Sequence, residues 1–137
     1  MEKQLHIVCL DVPYPPDYGG VFDLYYKLKY LYEAGVIIHL HSFAYGRGRQ
    51  DALKQYCHSV HYYKRSNGWW NLLSRIPYIV GSRSAPELLS NLTRDDFPVL
   101  LEGVHCTFWL YKGRLNGRKV ILRLHNVEFE YYHHLAN

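Results

Sequence analysis

The feature that most constrains this chain is the run from Leu5 to Val12, which reads as continuously apolar and stops abruptly at Pro13. A strand that faced water on one side would alternate apolar and polar residues. A run without that alternation is a strand covered on both faces, the setting of a parallel sheet. The next eight residues are Pro13-Tyr14-Pro15-Pro16-Asp17-Tyr18-Gly19-Gly20, and a helical pattern begins at Val21. Strand, Pro-stiffened loop ending in two glycines, then helix is an order that suits anion binding. Prolines hold φ, glycines let the backbone approach a ligand, and the helix start presents unpaired N–H groups.

The rest of the chain extends the same alternation. Apolar residues at 21, 24, 25, 28, 31 and 32 have helical spacing, with Gly35 in the position of a C-terminal cap. Val36–Phe43 predicts a second strand, Asp51–Cys57 a short helix and Ser59–Tyr63 a third strand. The β-α-β-α-β order implies right-handed crossovers and parallel strands. Residues 64–85 predict only short helical pieces. Pro86–Thr93 predicts a helix with proline in its first turn, Phe97–Leu101 a fourth strand, Val104–Leu115 a helix, and Lys119–Leu124 a fifth strand. The fold expected is α/β: a Rossmann-like three-layer sandwich with a mainly parallel sheet in the order 3-2-1-4-5.

In such a sheet, ligands bind beyond the carboxyl ends of the strands, where the strand order reverses. That crevice would gather the loops 13–20, 102–105 and 125–128. They carry Asp17, Gly19, Gly20, Glu102, His105, His125, Asn126 and Glu128.

Composition narrows the class further. The 137 residues make one ordinary domain with enough apolar content, 48%, for a real core. A formal net charge of +4 suits an anionic substrate or an acidic membrane surface and demands neither. No nucleic-acid partner is expected. Cys9, Cys57 and Cys106 lack any CxxC spacing and predict free, buried thiols. With no signal-peptide pattern at the start and no apolar stretch of spanning length, a cytoplasmic location is expected. The pattern from Glu128 to Ala136 reads as a helix still under way at Asn137, as expected of a piece of a longer protein.

Taken in order, PYPPDYGG at Pro13–Gly20, GVIIHLHSF at Gly35–Phe43, the strand-end Glu102-Gly103 and HNVEFEYYHHLA from His125 resemble the N-terminal domain of GT-B glycosyltransferases of the family 4 group. The strongest matches are the P-x-P-x-x-x-G-G loop and His125-Asn126-Val127-Glu128; residues 64–83 carry little of it. The resemblance implies a retaining enzyme that moves a sugar from a nucleotide diphosphate to a lipid, polysaccharide or small acceptor. It implies that Gly19 and Gly20 lie near the donor diphosphate or the acceptor, and that His125 reaches the transferred sugar as the catalytic residue. Asp17, Glu102, His105 and Asn126 are the expected substrate-binding residues. No cofactor or metal is implied beyond the nucleotide-sugar donor.

The resemblance further implies a second, nucleotide-binding domain with a glutamate pair spaced E-x7-E. No such pair occurs here: eight positions after Glu87 stands Asp95. Residues 1–137 are therefore expected to be the acceptor-side domain, with the C-terminal domain as its partner and no transfer by this part alone.

Plainer readings stand beside these. The Gly-Gly segment also suits a tight strand-to-helix turn, Asp17 a turn or cap residue, and His105 a helix-start histidine. Glu102 would orient His125 or His105, or sit as a solvated strand-end charge. Glu128 suits a first-turn helix residue. His39 and His41 share a strand face with no third ligand in view and are expected to be structural, as are His58, His61, His133 and His134. Trp69-Trp70 with its flanking basic residues fits peripheral contact with an anionic membrane or packing onto the domain. A stand-alone nucleotide or phosphosugar binding module is the alternative function. A response-receiver domain fits less well, because the first strand does not end in an acidic pair.

Overall fold

The computed structural model describes residues 2–17, 19–44, 48–66 and 76–124. Five strands form one sheet: β1 (Lys3–Cys9), β2 (Val36–Phe43), β3 (Ser59–Tyr63), β4 (Val99–Glu102) and β5 (Val120–Arg123). The order is β3-β2-β1-β4-β5 and every neighbouring pair is parallel. The fold is thus the Rossmann-like α/β arrangement the apolar runs predict. β1 lies at the centre, with Ile7 paired to Leu40 on one side and to Leu100 on the other. The chain returns across the sheet between β3 and β4, so the topological switch falls between β1 and β4.

Two apolar layers cover the sheet. One holds Ile7, Cys9, Ile38, Leu40 and Leu100 beneath Leu24 and Leu28 of α1 (Gly19–Glu33) and Leu53 of a 3₁₀ turn at Asp51–Gln55. The other holds Val8, Phe43, Val99 and Leu101 beneath Leu88 and Leu92 of α3 (Pro86–Leu92), together with Cys106 and Leu115. Period-2 alternation along each strand produces this division: Ile7 and Cys9 face one layer, His6 and Val8 the other. There are also two one-turn helices, α2 (Tyr78–Gly81) and α4 (Phe108–Tyr111), and Trp109 of α4 packs against the second layer. All three cysteines are free and buried, and burial pushes the Cys57 and Cys106 thiols up to about 12.

Several expected boundaries shift. α1 begins at Gly19, so Gly19 and Gly20 form its first turn rather than the end of a loop. The short helix expected over 51–57 is a 3₁₀ turn that ends at Gln55. The expected helix over 104–115 breaks into a 3₁₀ turn, Val104–Cys106, then α4, then turns. The interruption has a local cause. The Thr107 hydroxyl donates to the Val104 carbonyl at 2.6 Å, closing the turn, and Gly113 takes φ +70°, which ends the helix. The Trp69-Trp70 expectation falls outside the described residues. Among those described, no helix is long and apolar enough to cross a membrane.

Candidate functional site

The crevice is built from adjacent strand ends. Cys9 closes β1 directly opposite Glu102, which closes β4, and Glu102 stands opposite Arg123 at the end of β5. Because these strands are parallel, the segments leaving them emerge at one edge. The segment after β1 carries Asp17, Gly19 and Gly20; the segment after β4 carries His105. The structure thus brings those four residues to the same edge, with Glu102 beneath them. His125, Asn126 and Glu128 lie outside the described residues, and Leu124 is the last described position on that path.

The loop after β1 is pinned. Its Val12 N–H donates to Asp11 Oδ1 at 2.8 Å, Arg83 donates to the Leu10 carbonyl at 3.4 Å, and the Tyr14 ring packs on Tyr25 with centroids 5.6 Å apart. The Tyr14–Pro15 peptide is cis, and Asp17 N–H closes a turn onto the Pro15 carbonyl at 2.9 Å. Asp17 itself is exposed.

Gly19 is exposed and has no left-handed backbone angle, and a Cβ placed on it would meet nothing within 4 Å. The fold therefore does not require glycine there, and glycine in a helix costs up to about 1 kcal/mol relative to alanine. Gly103 differs: it is buried, with φ 98° and ψ 155°, a conformation reserved for glycine. It donates to the Arg123 carbonyl at 2.8 Å, so it turns the chain off β4 while keeping that strand tied to β5.

Beneath the crevice lies a charged array that sequence reading did not assemble. Glu102 is 1% exposed; Lys27 of α1 bonds its Oε1, and Arg123 stands 3.7 Å from its Oε2. Arg123 in turn pairs with Asp23, one helical turn before Lys27. That pairing raises the Arg123 pKa. Two opposite charges spaced i, i+4 on α1 thus clasp the ends of β4 and β5. The reading of Glu102 as a solvated strand-end charge is overturned, because β4 is covered on both faces. The only signal was the spacing of Asp23 and Lys27, which looks the same on a solvated helix face. His105 sits half-buried in the 3₁₀ turn that follows Gly103.

The second face carries a hydrogen-bonded file that crosses the sheet. Asp95 lies before β4 and Asn91 on α3. Between them run His6, His41 and Tyr63, on β1, β2 and β3. The distances are 2.8 Å from His6 Nε2 to Asp95 Oδ1, 2.8 Å from His6 Nδ1 to His41 Nε2, 2.7 Å from His41 Nδ1 to the Tyr63 hydroxyl, and 2.9 Å from Asn91 Nδ2 to that hydroxyl. With Asp95 as a carboxylate and both histidines neutral, every proton has one place to go. His6 donates to Asp95, His41 to His6, Tyr63 to His41, and Asn91 to Tyr63. Burial holds His41 down to about 2 and pushes the Tyr63 phenol up to about 12, keeping both neutral. His39 bonds Ser59 at 2.9 Å and Gln4 at 2.8 Å. His39 and His41 thus spend their ring nitrogens on hydrogen bonds within the sheet, as expected of structural histidines. Among the described residues, no group of three or more His, Cys, Asp or Glu could hold a metal ion.

One curated relative matches with this geometry in view. The chain is 30% identical over 139 residues to "Uncharacterized 44.6 kDa protein in cps region" of Klebsiella pneumoniae, a match that covers 96% of this chain and 35% of the relative. It therefore spans about a third of that relative's length. No protein-family model matches the chain, and no solved structure does.

Proposed function

We propose that this chain is the N-terminal, acceptor-side domain of a GT-B glycosyltransferase of the family 4 type. The full-length protein would move a sugar from a nucleotide diphosphate to a lipid-linked, polysaccharide or small acceptor with retention. One observation carries the reading. At the switch point of a 3-2-1-4-5 parallel sheet, α1 opens with an exposed glycine that the fold does not need. A helix that starts on glycines at that place suits a charged, backbone-recognised ligand such as a diphosphate. The cps-region relative supports a polysaccharide-related role, and its greater length leaves room for the nucleotide-binding domain that this reading requires.

In this scheme the chain's own contribution is positioning and charge stabilisation. The N–H groups of Gly19 to Val21 face the leaving diphosphate or the acceptor. Asp17, His105 and Asn126 contact substrate hydroxyls, and His125 reaches the transferred sugar. Glu102, locked to Lys27 and Arg123, holds the start of α1 at the correct height above the sheet. The acceptor side fits a protein that works at the cytoplasmic face of a membrane. A stand-alone phosphosugar-binding module, the second reading, rests on the same crevice and lacks only turnover.

The test is a donor-and-acceptor screen on the full-length protein, read by mass spectrometry. Transfer is expected from the full-length protein, lost in Gly19→Val, and absent from residues 1–137 alone. Sugar transfer by residues 1–137 alone would overturn the division of labour. Saturable binding of a sugar nucleotide by the full-length protein with no transfer to any acceptor would favour the module instead.

A further inference from the structure

A second cavity lies away from the switch point. It has a volume of about 880 Å³ and opens against β3, the edge strand, between the start of α3 and α4. β3 is two strands from β1, on the order of 10 Å across the sheet. Its size is toward the upper end of small-molecule sites.

The lining mixes aromatic faces with polar groups of both signs. Trp109 and Tyr63 supply aromatic rings, and Arg49, Lys64, Glu87 and Asn91 the polar groups. The aromatic rings are held before any ligand arrives. Trp109 Nε1 donates to the Ala85 carbonyl at 3.1 Å, and the Tyr63 hydroxyl is committed to His41 while it accepts from Asn91. One Asn91 amide hydrogen is committed to Tyr63, and its carbonyl oxygen can accept from a ligand. Side chains that accept (Asn91, Glu87) therefore share the lining with side chains that donate (Arg49, Lys64) and with flat apolar rings.

That combination matches a sugar, whose hydroxyls both donate and accept and whose C–H faces stack on rings. It matches a diphosphate poorly. Glu87 places a like charge beside any phosphate. Two cations against one carboxylate leave an excess of one positive charge, enough to favour one acidic group on the ligand.

We propose that this cavity binds a short saccharide and prefers one that carries a single carboxylate. The assignment goes beyond sugar transfer at the switch point and does not depend on it, because binding here needs no donor and no turnover.

The test follows the indole N–H signal of Trp109 by NMR in the 137-residue chain, assigned with Trp69→Phe and Trp70→Phe. The probes are a glucuronate-containing disaccharide, its carboxyl-reduced neutral counterpart and uridine diphosphate. Both sugars should move the Trp109 signal, the acidic one with about threefold tighter binding. In Arg49→Ala/Lys64→Ala, both of whose side chains are exposed, both sugars should bind more weakly and the preference between them should vanish. Glu87→Gln should tighten the acidic sugar by a similar factor. A Trp109 signal unmoved by either sugar would overturn the proposal. So would uridine diphosphate acting at lower concentration than both sugars, or an acidic preference that survives the double substitution.

Discussion

Single residues at the switch point separate stability from function. Gly19→Ala fills open space on a helix and should leave stability unchanged or raise it by up to about 1 kcal/mol in urea denaturation, whereas transfer by the full-length protein should fall. Gly103→Ala should behave oppositely. A side chain at φ 98° and ψ 155° is strained, so stability should drop by about 1–3 kcal/mol. The two glycines look alike as letters; one is needed by the backbone and the other is not. Sequence reading found the first through its Pro-rich context. It took the pair as a loop because two glycines in the first turn of a helix are locally unfavourable.

The ion pairs beneath α1 make a sharper case. Lys27→Met takes the nearest cation from a carboxylate that is 1% exposed, and should cost about 3 kcal/mol. Glu102→Gln should cost less, about 1–2 kcal/mol, because the Lys27 side chain is 23% exposed and can turn to water. Lys27→Met/Glu102→Leu should recover most of the loss, since it removes both members of the pair. Denaturant midpoints for the three variants decide the order.

At the scale of elements, the strands were the most legible part. The predicted limits of β2 and β3 coincide with those observed, because β-branched and apolar residues there are bounded by Gly35, by a loop, and by Lys64. The segment 104–115 was misread because apolar spacing alone does not register a hydroxyl that closes a turn at Thr107. The file of histidines across the sheet was half legible. Alternation placed His39 and His41 on one face, but nothing local links His6 to Asp95, which lies 89 residues further along the chain.

That file makes a pH prediction. His41 is held to about 2 chiefly by burial, and burial lowers His39 and His61 as well. A histidine held below its usual 6.5 stays neutral in the fold, while the unfolded chain takes up a proton below that value. Its contribution is therefore complete above about pH 6.5 and is lost as pH falls from there toward 2. Between pH 7 and pH 5, His41 alone should cost about 2 kcal/mol of stability. Urea midpoints at the two pH values measure it, and an unchanged midpoint would contradict the neutral assignment. Tyr63→Phe removes the donor to His41 and should cost about 1–3 kcal/mol at pH 7.

At the scale of the whole molecule, the order of strands in space differs from their order in time. β1 is the first strand to leave the ribosome, yet its partner on one side, β4, is synthesised about ninety residues later, with His6 waiting for Val99. Until then the middle strand of the finished sheet is an open edge, with an unpaired row of backbone donors and acceptors. A nascent chain halted near residue 95 should be a chaperone client and prone to clump, whereas one released after Arg123 should not. Pelleting of the two truncated translation products would show the difference. The architecture that places the crevice at the centre of the sheet thus leaves that centre undefended until β4 has been made.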